Sequence, residues 1–439
     1  MDTPTVKPAR VIIVGAGIAG PALALLLKQK GYLPVVVEKV RDMGNVGIAL
    51  SIHPNGMKVL NRAGLALDVV NGPPSSPPTL AWDDYTNTGE FLGGPASSLV
   101  AGFIDRYGWP IIGITRTRLQ TLLVDKCRQS GIPVHTGWRL ASWDEVGDGI
   151  VARAEDGREL HADFIVGTDG LRSRTREILL QKRGVEVQEP MFTGIVVRGG
   201  QTSTPAAFET PAIRIYYGAT TTVISHTLED GMSVWGLNYF EKTPVKESWS
   251  TVSAEDLQKE IDLTLEKLEG WAEPVREMVS KTTKMMSIGL YDRPELPVEQ
   301  WYYGRGVLVG DAAHPTTPHV GQGANQGLVD AWHLSQLLPS CDEQSVKSLD
   351  RAELETIFHN LAAVRQGPTA MIVERSREQG KLRVVTDKSP GAKERRDDLI
   401  RSFWRDQDTF NQIHDRLYNE PFEDKEGFAK MMRQRQEQQ

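Results

Sequence analysis

Apolar positions along the chain follow two different periods. A β-branched run at Val11–Val14 leads through a glycine-rich turn into an apolar helix over Ala22–Lys30. Gly31 closes that helix and Val35–Val37 makes a second strand, so the segment reads as a βαβ unit. Short buried-type strands recur at Phe164–Val166 and Val307–Val309, and helices at Leu119–Arg128 and Gly327–Leu338. Between Phe192 and Phe240 the pattern turns to strands: Ile195–Val197, Ile213–Tyr217, Thr221–His226 and Ser233–Tyr239, with turns at Gly218 and Glu229-Asp230-Gly231. Ala254–Glu269 is a charged amphipathic helix, Pro73, Pro74, Pro77 and Pro78 mark an exposed loop, and the chain beyond Pro339 reads as helical and polar.

Composition narrows the class. At 439 residues the chain exceeds one ordinary domain, so two or three structural regions are expected. With 40% hydrophobic and 24% charged residues it reads as a soluble globular protein. A net charge of −7 argues against general affinity for nucleic acid or an anionic membrane. Cys127 and Cys341 offer no disulfide framework, which fits a reducing compartment, and no metal-ligand spacing occurs among the nine histidines. The apolar run Val11–Leu27 is broken by Gly15, Gly17, Gly20 and Pro21, and no stretch of about eighteen uninterrupted apolar residues occurs elsewhere. The expectation is a cytoplasmic protein, monomeric or homodimeric, that binds neither nucleic acid nor membrane.

Three segments carry chemistry. Gly15-Ala-Gly17-Ile-Ala-Gly20, with Ala24 after it and Glu38 ending the second strand, fits a dinucleotide fingerprint. Its glycines permit a tight turn, close approach to a pyrophosphate and helix–strand contact, and Glu38 would accept from a ribose. The helix start offers free N–H groups and a positive dipole, and Pro21 sits in the first turn, where its missing N–H costs little. This motif alone does not choose between NAD and FAD. Asp169-Gly170-Leu-Arg-Ser173-Arg-Thr-Arg176 follows a strand and opens a basic helix. Gly306-Val-Leu-Val-Gly310-Asp311-Ala-Ala-His314-Pro315 ends another strand with a carboxylate suited to a polyol, and Gly321-Gln-Gly323-Ala324-Asn325 lets backbone N–H groups approach a planar ligand. His314 and His319 read as residues that shape this loop.

In this order and at these positions, the three segments resemble those of the single-component FAD-dependent monooxygenases of para-hydroxybenzoate hydroxylase type, over Val11 to Leu338 and closest to their fungal secondary-metabolite branch. The resemblance implies bound FAD, held by Gly15, Gly17, Gly20, Glu38, Asp169 and Asp311, with Gly323, Ala324 and Asn325 beside the flavin pyrimidine. Arg116 falls where the family places an arginine over the FAD. Ala49 lies in Gly47-Ile-Ala-Leu-Ser-Ile-His-Pro54-Asn55-Gly56, which resembles the segment flanking the isoalloxazine. It also implies an α/β fold: a Rossmann-like FAD-binding domain that is discontinuous, an inserted mixed β-sheet for substrate, and a helical C-terminus. The corresponding division is 1–180 for the first part of the FAD domain (70–110 contributing to the substrate region), 185–290 for the sheet, 291–340 for the return segment and 341–439 for the helices. With no second GxGxxG unit, NADPH or NADH would visit transiently, unlike in two-dinucleotide reductases and Baeyer–Villiger enzymes. A lone Gly108-Trp109-Pro110 does not make the tryptophan motif of flavin halogenases.

The implied reaction is reduction of the flavin by NAD(P)H, addition of O2 to give a C4a-hydroperoxide, and hydroxylation of an electron-rich small molecule of phenolic polyketide or indole/alkaloid type. The cofactor supplies that chemistry while the protein positions substrate and excludes water. Arg198, at a strand position where relatives face the pocket with an arginine, is the candidate to hold a phenolate. His226 departs from the aromatic hydroxyl residue of relatives and is a second catalytic candidate, as a proton relay. Tyr216, Tyr217, Trp235 and Tyr239 are candidate pocket aromatics. Epoxidation of an alkene or prenyl group is the alternative inside this class, and a non-catalytic FAD-binding sensor or carrier the alternative outside it.

Overall fold

The computed structural model describes residues 8–44, 47–94, 102–246, 251–341, 349–384 and 389–438. Its centre is a six-stranded sheet ordered Tyr302–Tyr303, Gly306–Leu308, Phe164–Gly167, Arg10–Val14, Leu33–Glu38, Val134–Thr136. All neighbours are parallel except the hairpin pair Tyr302–Tyr303 and Gly306–Leu308. Ile12 pairs with both Ile165 and Val35, and Val166 pairs in turn with Val307. Strands buried on both faces need no polar alternation, which is why these segments are continuous Val/Ile runs. One face is covered by the helices Ala19–Gln29, Arg116–Gln129 and Gly323–Leu337, with Val11, Ile13, Leu23 and Leu328 fully buried. A small antiparallel sheet, Leu140–Val146, Gly149–Ala154 and Glu159–Ala162, covers the other through Trp143 and Ile150.

The second body is a mixed seven-stranded sheet ordered Thr282–Asp292, Met191–Ser203, Met232–Phe240, Thr222–Thr227, Ala212–Tyr217, Ala81–Thr86, Phe91–Gly93. Side chains alternate between its faces. Val223, Trp235, Leu237 and Tyr216 point to a layer made by the helices Leu257–Lys267 and Glu273–Ser280. Ile213, Ile215, Tyr217 and Trp82 point the other way, toward Trp404, Phe410 and Tyr418 from the C-terminal helices Ala392–Arg405 and Gln407–Tyr418. The strand Ala81–Thr86 was not foreseen; it comes from a segment far upstream and pairs in parallel with Ala212–Tyr217.

A 33-residue helix, Arg351–Arg383, joins the two bodies and starts with a capping box between Asp350 and Glu353. Near its start Phe358 meets Phe164 of the six-stranded sheet. At its end the Arg383 carbonyl accepts from Thr222 Oγ1 of the seven-stranded sheet at 2.7 Å. Buried Lys58 then staples the C-terminal segment back, donating to the carbonyls of Tyr418 (2.6 Å) and Phe422 (2.8 Å). The chain beyond Pro339 is helical as expected, except that 342–348, 385–388 and 439 lie outside the described residues. No helix among the described residues is long and apolar enough to cross a membrane.

Candidate functional site

The glycine turn after the first strand separates into two packing positions and one open one. Gly15 has φ +111°, donates its N–H to Val37 O at 2.8 Å, and a Cβ there would sit 2.6 Å from Thr168 O. A Cβ on Gly20 would lie 2.1 Å from Gly15 O. Gly17 is different: a Cβ there meets nothing within 4 Å. The first and third glycines therefore close the turn, while the middle one borders open space at the start of Ala19–Gln29, where N–H groups suit a phosphate. Glu38 lies beside this opening, its carboxylate accepting from the Ala16 N–H and the Val40 N–H, each at 2.9 Å.

Two later loops pack onto this turn. Asp169 follows the strand Phe164–Gly167, and a Gly15 Cβ would be 3.0 Å from its Cα. Burial raises the Asp169 carboxyl, while hydrogen bonds from Ser173 Oγ and from Thr175 N and Oγ1 counter that effect. The side chain thus organises the N-terminus of the helix Arg174–Lys182. Arg176 of that helix donates to the carbonyls of Ala313 and Pro294, both at 3.1 Å, tying the loop to the segment after Asp311. Gly310 and Gly327 both abut Ala19, so the third loop sits against the start of the first helix.

Asp311 is exposed at this junction, and a Cβ on Gly323 would lie 3.7 Å from its Oδ1. Behind it is a buried ion network: Asp330 accepts from the Gly310 N–H (2.8 Å), His314 Nε2 (2.6 Å) and Arg365 Nε (2.7 Å). Burial alone would raise Asp330, but His314 and Arg365 hold it well below the usual carboxylate range. His314 is thus a loop-structuring residue, as the sequence suggested.

The side chain of Asn325 is bonded within the protein on both of its polar atoms. Its Oδ1 accepts from the His53 N–H (2.9 Å) and its Nδ2 donates to Ser51 O (3.0 Å) and Gly321 O (2.9 Å). It clamps the Gly321–Gly323 loop to the short strand Ala49–Ile52. Ala49 pairs with Thr115, and the Arg116 N–H donates to Ile48 O at 3.2 Å, so Ala49 and Arg116 share one edge of the site.

The two catalytic candidates are placed differently from expectation. Arg198 belongs to a 13-residue strand, Met191–Ser203, and lies on the helix-covered face of the seven-stranded sheet. Its guanidinium pairs with Glu260 at 3.1 Å and approaches Thr264 Oγ1 at 3.4 Å, both on the helix Leu257–Lys267. It therefore turns away from the flavin loops, which its neighbours Val197 and Gly199 approach through Ile48. Tyr216 and Trp235 share the helix-covered face, and Tyr239 packs with them; of the four pocket aromatics only Tyr217 faces the other way. His226 does lie on the flavin-side face, but both ring nitrogens are engaged, Nδ1 with Ser51 Oγ and Nε2 with Thr79 Oγ1, each at 2.8 Å. Burial pushes it down to about 4, so the ring is neutral.

The same face carries a polar chain that no motif marked. Trp404 Nε1 donates to Asp84 Oδ2 at 2.8 Å, the Tyr217 hydroxyl interacts with both Asp84 and Arg383, and Arg383 Nη1 lies 3.4 Å from His319 Nδ1. Asp84, Tyr217, Arg383 and His319 are all at most 5% exposed. Burial pushes the Asp84 carboxyl up to about 7. Elsewhere, Arg293 is 2% exposed, and its three guanidinium nitrogens have no hydrogen-bond partner among the described residues. No group of three or more His, Cys, Asp or Glu side chains among them is placed to hold a metal.

The site therefore suits a dinucleotide laid across the open glycine turn, with an exposed acid and a glycine loop at its far end. Comparison with known proteins agrees. The family model for the FAD binding domain matches residues 8–355. The chain is 30% identical over 353 residues to 3-amino-4-hydroxybenzoate 2-monooxygenase of Streptomyces platensis, covering 78% of this chain and 83% of that one. It is 28% identical over 403 residues to a salicylate hydroxylase of Pseudomonas putida, covering 88% of each. The structure of Klebsiella pneumoniae HpxO with FAD and uric acid shares the fold, with a TM-score of 0.77 at 22% identity over 94% of this chain and 97% of that one. The open Gly17, the Asp311 junction and these likenesses converge: the chain belongs to the FAD-dependent aromatic hydroxylase and monooxygenase family, and is an oxidoreductase of that kind.

Proposed function

We propose that the protein hydroxylates an electron-rich aromatic small molecule of phenolic polyketide or indole/alkaloid type in secondary metabolism. When bound, FAD supplies the activation of O2 with electrons from NADPH or NADH. Gly17 and the first helix turn would receive the pyrophosphate, Glu38 the ribose and Asp311 the ribitol; Ala49 and Arg116 would flank the ring, and the backbone of Gly323–Asn325 would face its pyrimidine edge. Asp169 acts from behind, by shaping its own loop against Gly15. The substrate would lie between these loops and the sheet face bearing Trp82, Tyr217 and Ile224, roofed by the C-terminal helices.

The observation that carries this reading is that roof. Trp404, Phe410 and Tyr418 close the flavin-side face with aromatic side chains, which exclude water and stack on planar ligands. Polar Asp84 and cationic Arg383 beneath it favour a polar aromatic over the aliphatic alkene that epoxidation would need. His226, neutral and bridged to Ser51 and Thr79, serves here to hold the strand Ala49–Ile52 against the sheet; Arg198 is withdrawn from the mechanism. Arg293, a buried cation with unmet donors, is a candidate contact for an anionic group of the nicotinamide cofactor. The domain division 1–180, 185–290, 291–340 and 341–439, cytoplasmic location, and a monomer or homodimer without nucleic-acid or membrane binding complete the proposal.

Stopped-flow mixing of the flavin-loaded protein with NADPH or NADH, with and without aromatic substrates, tests it. Bleaching of the flavin followed by an oxygenated aromatic product is expected. No bleaching under any condition would refute the reading.

A further inference from the structure

Arg383 lies outside the 8–355 span shared with the family model, yet it reaches the flavin-side face. A guanidinium cannot shed its charge, so burial requires an anion or a full set of acceptors. Among the described residues its side chain finds only the Tyr217 hydroxyl and the neutral His319 ring; its Nε has no partner, and no carboxylate lies within ion-pairing distance. Asp84, the closest acid in electrostatic terms, spends Oδ2 on Trp404 and leaves Oδ1 unpartnered. Trp82 Nε1, a pure donor on the same sheet face, and His319 Nε2 are unpartnered too. Four buried, unmet polar atoms on neighbouring side chains exceed what a finished core tolerates, since each costs about 1–3 kcal/mol when left unmade.

His319 belongs to the loop immediately before Gly321-Gln-Gly323, and Ser376, two turns before Arg383, is bonded to Thr317 at 2.7 Å. The unmet atoms therefore sit where the flavin loop, the seven-stranded sheet and the C-terminal roof meet. We propose that Arg383 is the anion receptor of the substrate site, and that with Asp84 it selects an aromatic substrate bearing an acidic oxygen, a carboxylate or ionised phenol, next to an N–H or O–H donor. Arg383 Nε would take the acidic oxygen and Asp84 Oδ1 the donor. Arg383 thus fills the role that the sequence had given to Arg198, from a different element and the opposite direction. Burial raises Asp84 toward neutrality, which leaves Arg383 short of a counter-charge until an anion arrives.

This inference rests on the proposed hydroxylation, but its test does not. Flavin-loaded protein is titrated with salicylate and with its neutral analogue 2-hydroxybenzyl alcohol, following perturbation of the flavin spectrum. The wild type is expected to bind salicylate more tightly. Arg383→Met should weaken salicylate by about thirtyfold or more and leave the alcohol nearly unchanged, as loss of one partner from a buried charge pair predicts. Arg383→Lys should recover part of the loss, and Asp84→Asn should weaken both probes. Melting temperature and flavin content of each variant show whether it folds, and the lysine variant carries the test if the methionine one does not. Equal affinity for the two probes, failure of both to bind wild type at millimolar concentration, or an equal loss of both in a folded Arg383 variant overturns the proposal. Flavin reduction by NADPH, measured without probe, reports separately on the hydroxylase reading.

Discussion

Acid should destabilise this protein well above the pH at which its carboxylates titrate. Four histidines, His53, His226, His319 and His414, are buried where the sheet, the flavin loops and the C-terminal roof meet. Burial pushes His53 and His319 down to about 3, and His226 and His414 to about 4, against an ordinary value of 6.5. A histidine depressed in the fold contributes stability that is present above 6.5 and lost as the pH falls toward the folded value. At about pH 5 each unfolded ring has gained a proton worth about 2 kcal/mol that the folded ring still refuses, about 8 kcal/mol for the four. Asp84 works the other way: raised to about 7, its contribution is present in acid and lost on raising the pH, so acidification returns about 2 kcal/mol. Asp330 does not enter this window, because its contribution is intact above the ordinary carboxylate value of 3.8. The net loss, on the order of 5 kcal/mol, rivals the whole stability of an ordinary domain. Urea unfolding of the flavin-loaded protein at several pH values between 7 and 5, followed by circular dichroism, measures it. His226→Gln should flatten the dependence by about 2 kcal/mol. A stability unchanged to within about 1 kcal/mol over that range refutes the reasoning.

Other outcomes follow from the site. Gly17→Ala should leave the fold within about 1 kcal/mol of wild type while sharply weakening FAD, because its Cβ enters open space; Gly20→Ala should fail to fold, with its Cβ 2.1 Å from Gly15 O. Equal thermal melts for the two apo-proteins would contradict this division. Asp311→Ala should lower flavin occupancy, read from the visible absorbance of purified protein, and normal yellow holoprotein would remove Asp311 from the ribitol site. Arg365→Met should cost about 3–5 kcal/mol by removing one of the two side-chain partners of buried Asp330, measured by denaturant midpoint. Arg198→Ala should retain both flavin and coupled turnover, at a cost of about 1 kcal/mol or less for its partly exposed pair with Glu260; uncoupling in that variant would restore it to the mechanism.

Much of the flavin side was legible because its constraints are local. A glycine turn between a Val/Ile strand and an apolar helix fixes backbone shape within ten residues, and Gly15, Gly17 and Gly20 lie where that pattern puts them. The substrate side was harder for two reasons. Arg198 was read as ending a three-residue strand, whereas Met191–Ser203 has register irregularities after Phe192 and Gln201, so its facing depended on a parity that a short window does not fix. Asp84 and Arg383 are about three hundred positions apart and belong to no motif; only folding brings both to Tyr217. His226 was read as a proton relay from a strand-end position alone, whereas its hydroxyl partners, Ser51 and Thr79, come from a distant strand and loop.

The six-stranded sheet also sets an order of events during synthesis. Its strand Arg10–Val14 is made about three hundred residues before Gly306–Leu308, yet the sheet is complete only when that later strand docks on Phe164–Gly167. At a translation rate of about 5–20 residues per second, roughly 15 to 60 s separate the two on the ribosome. From its own synthesis until that docking, roughly 7 to 28 s at the same rate, Phe164–Gly167 presents an unpaired apolar edge, a template for mispairing. On the proposed site, FAD in the cell cannot protect the nascent chain earlier, because Asp311 and the Gly321–Gly323 loop are made after the docking strand. Chaperone capture of the growing polypeptide, rather than cofactor supply, is then what should limit the yield of folded protein at high expression.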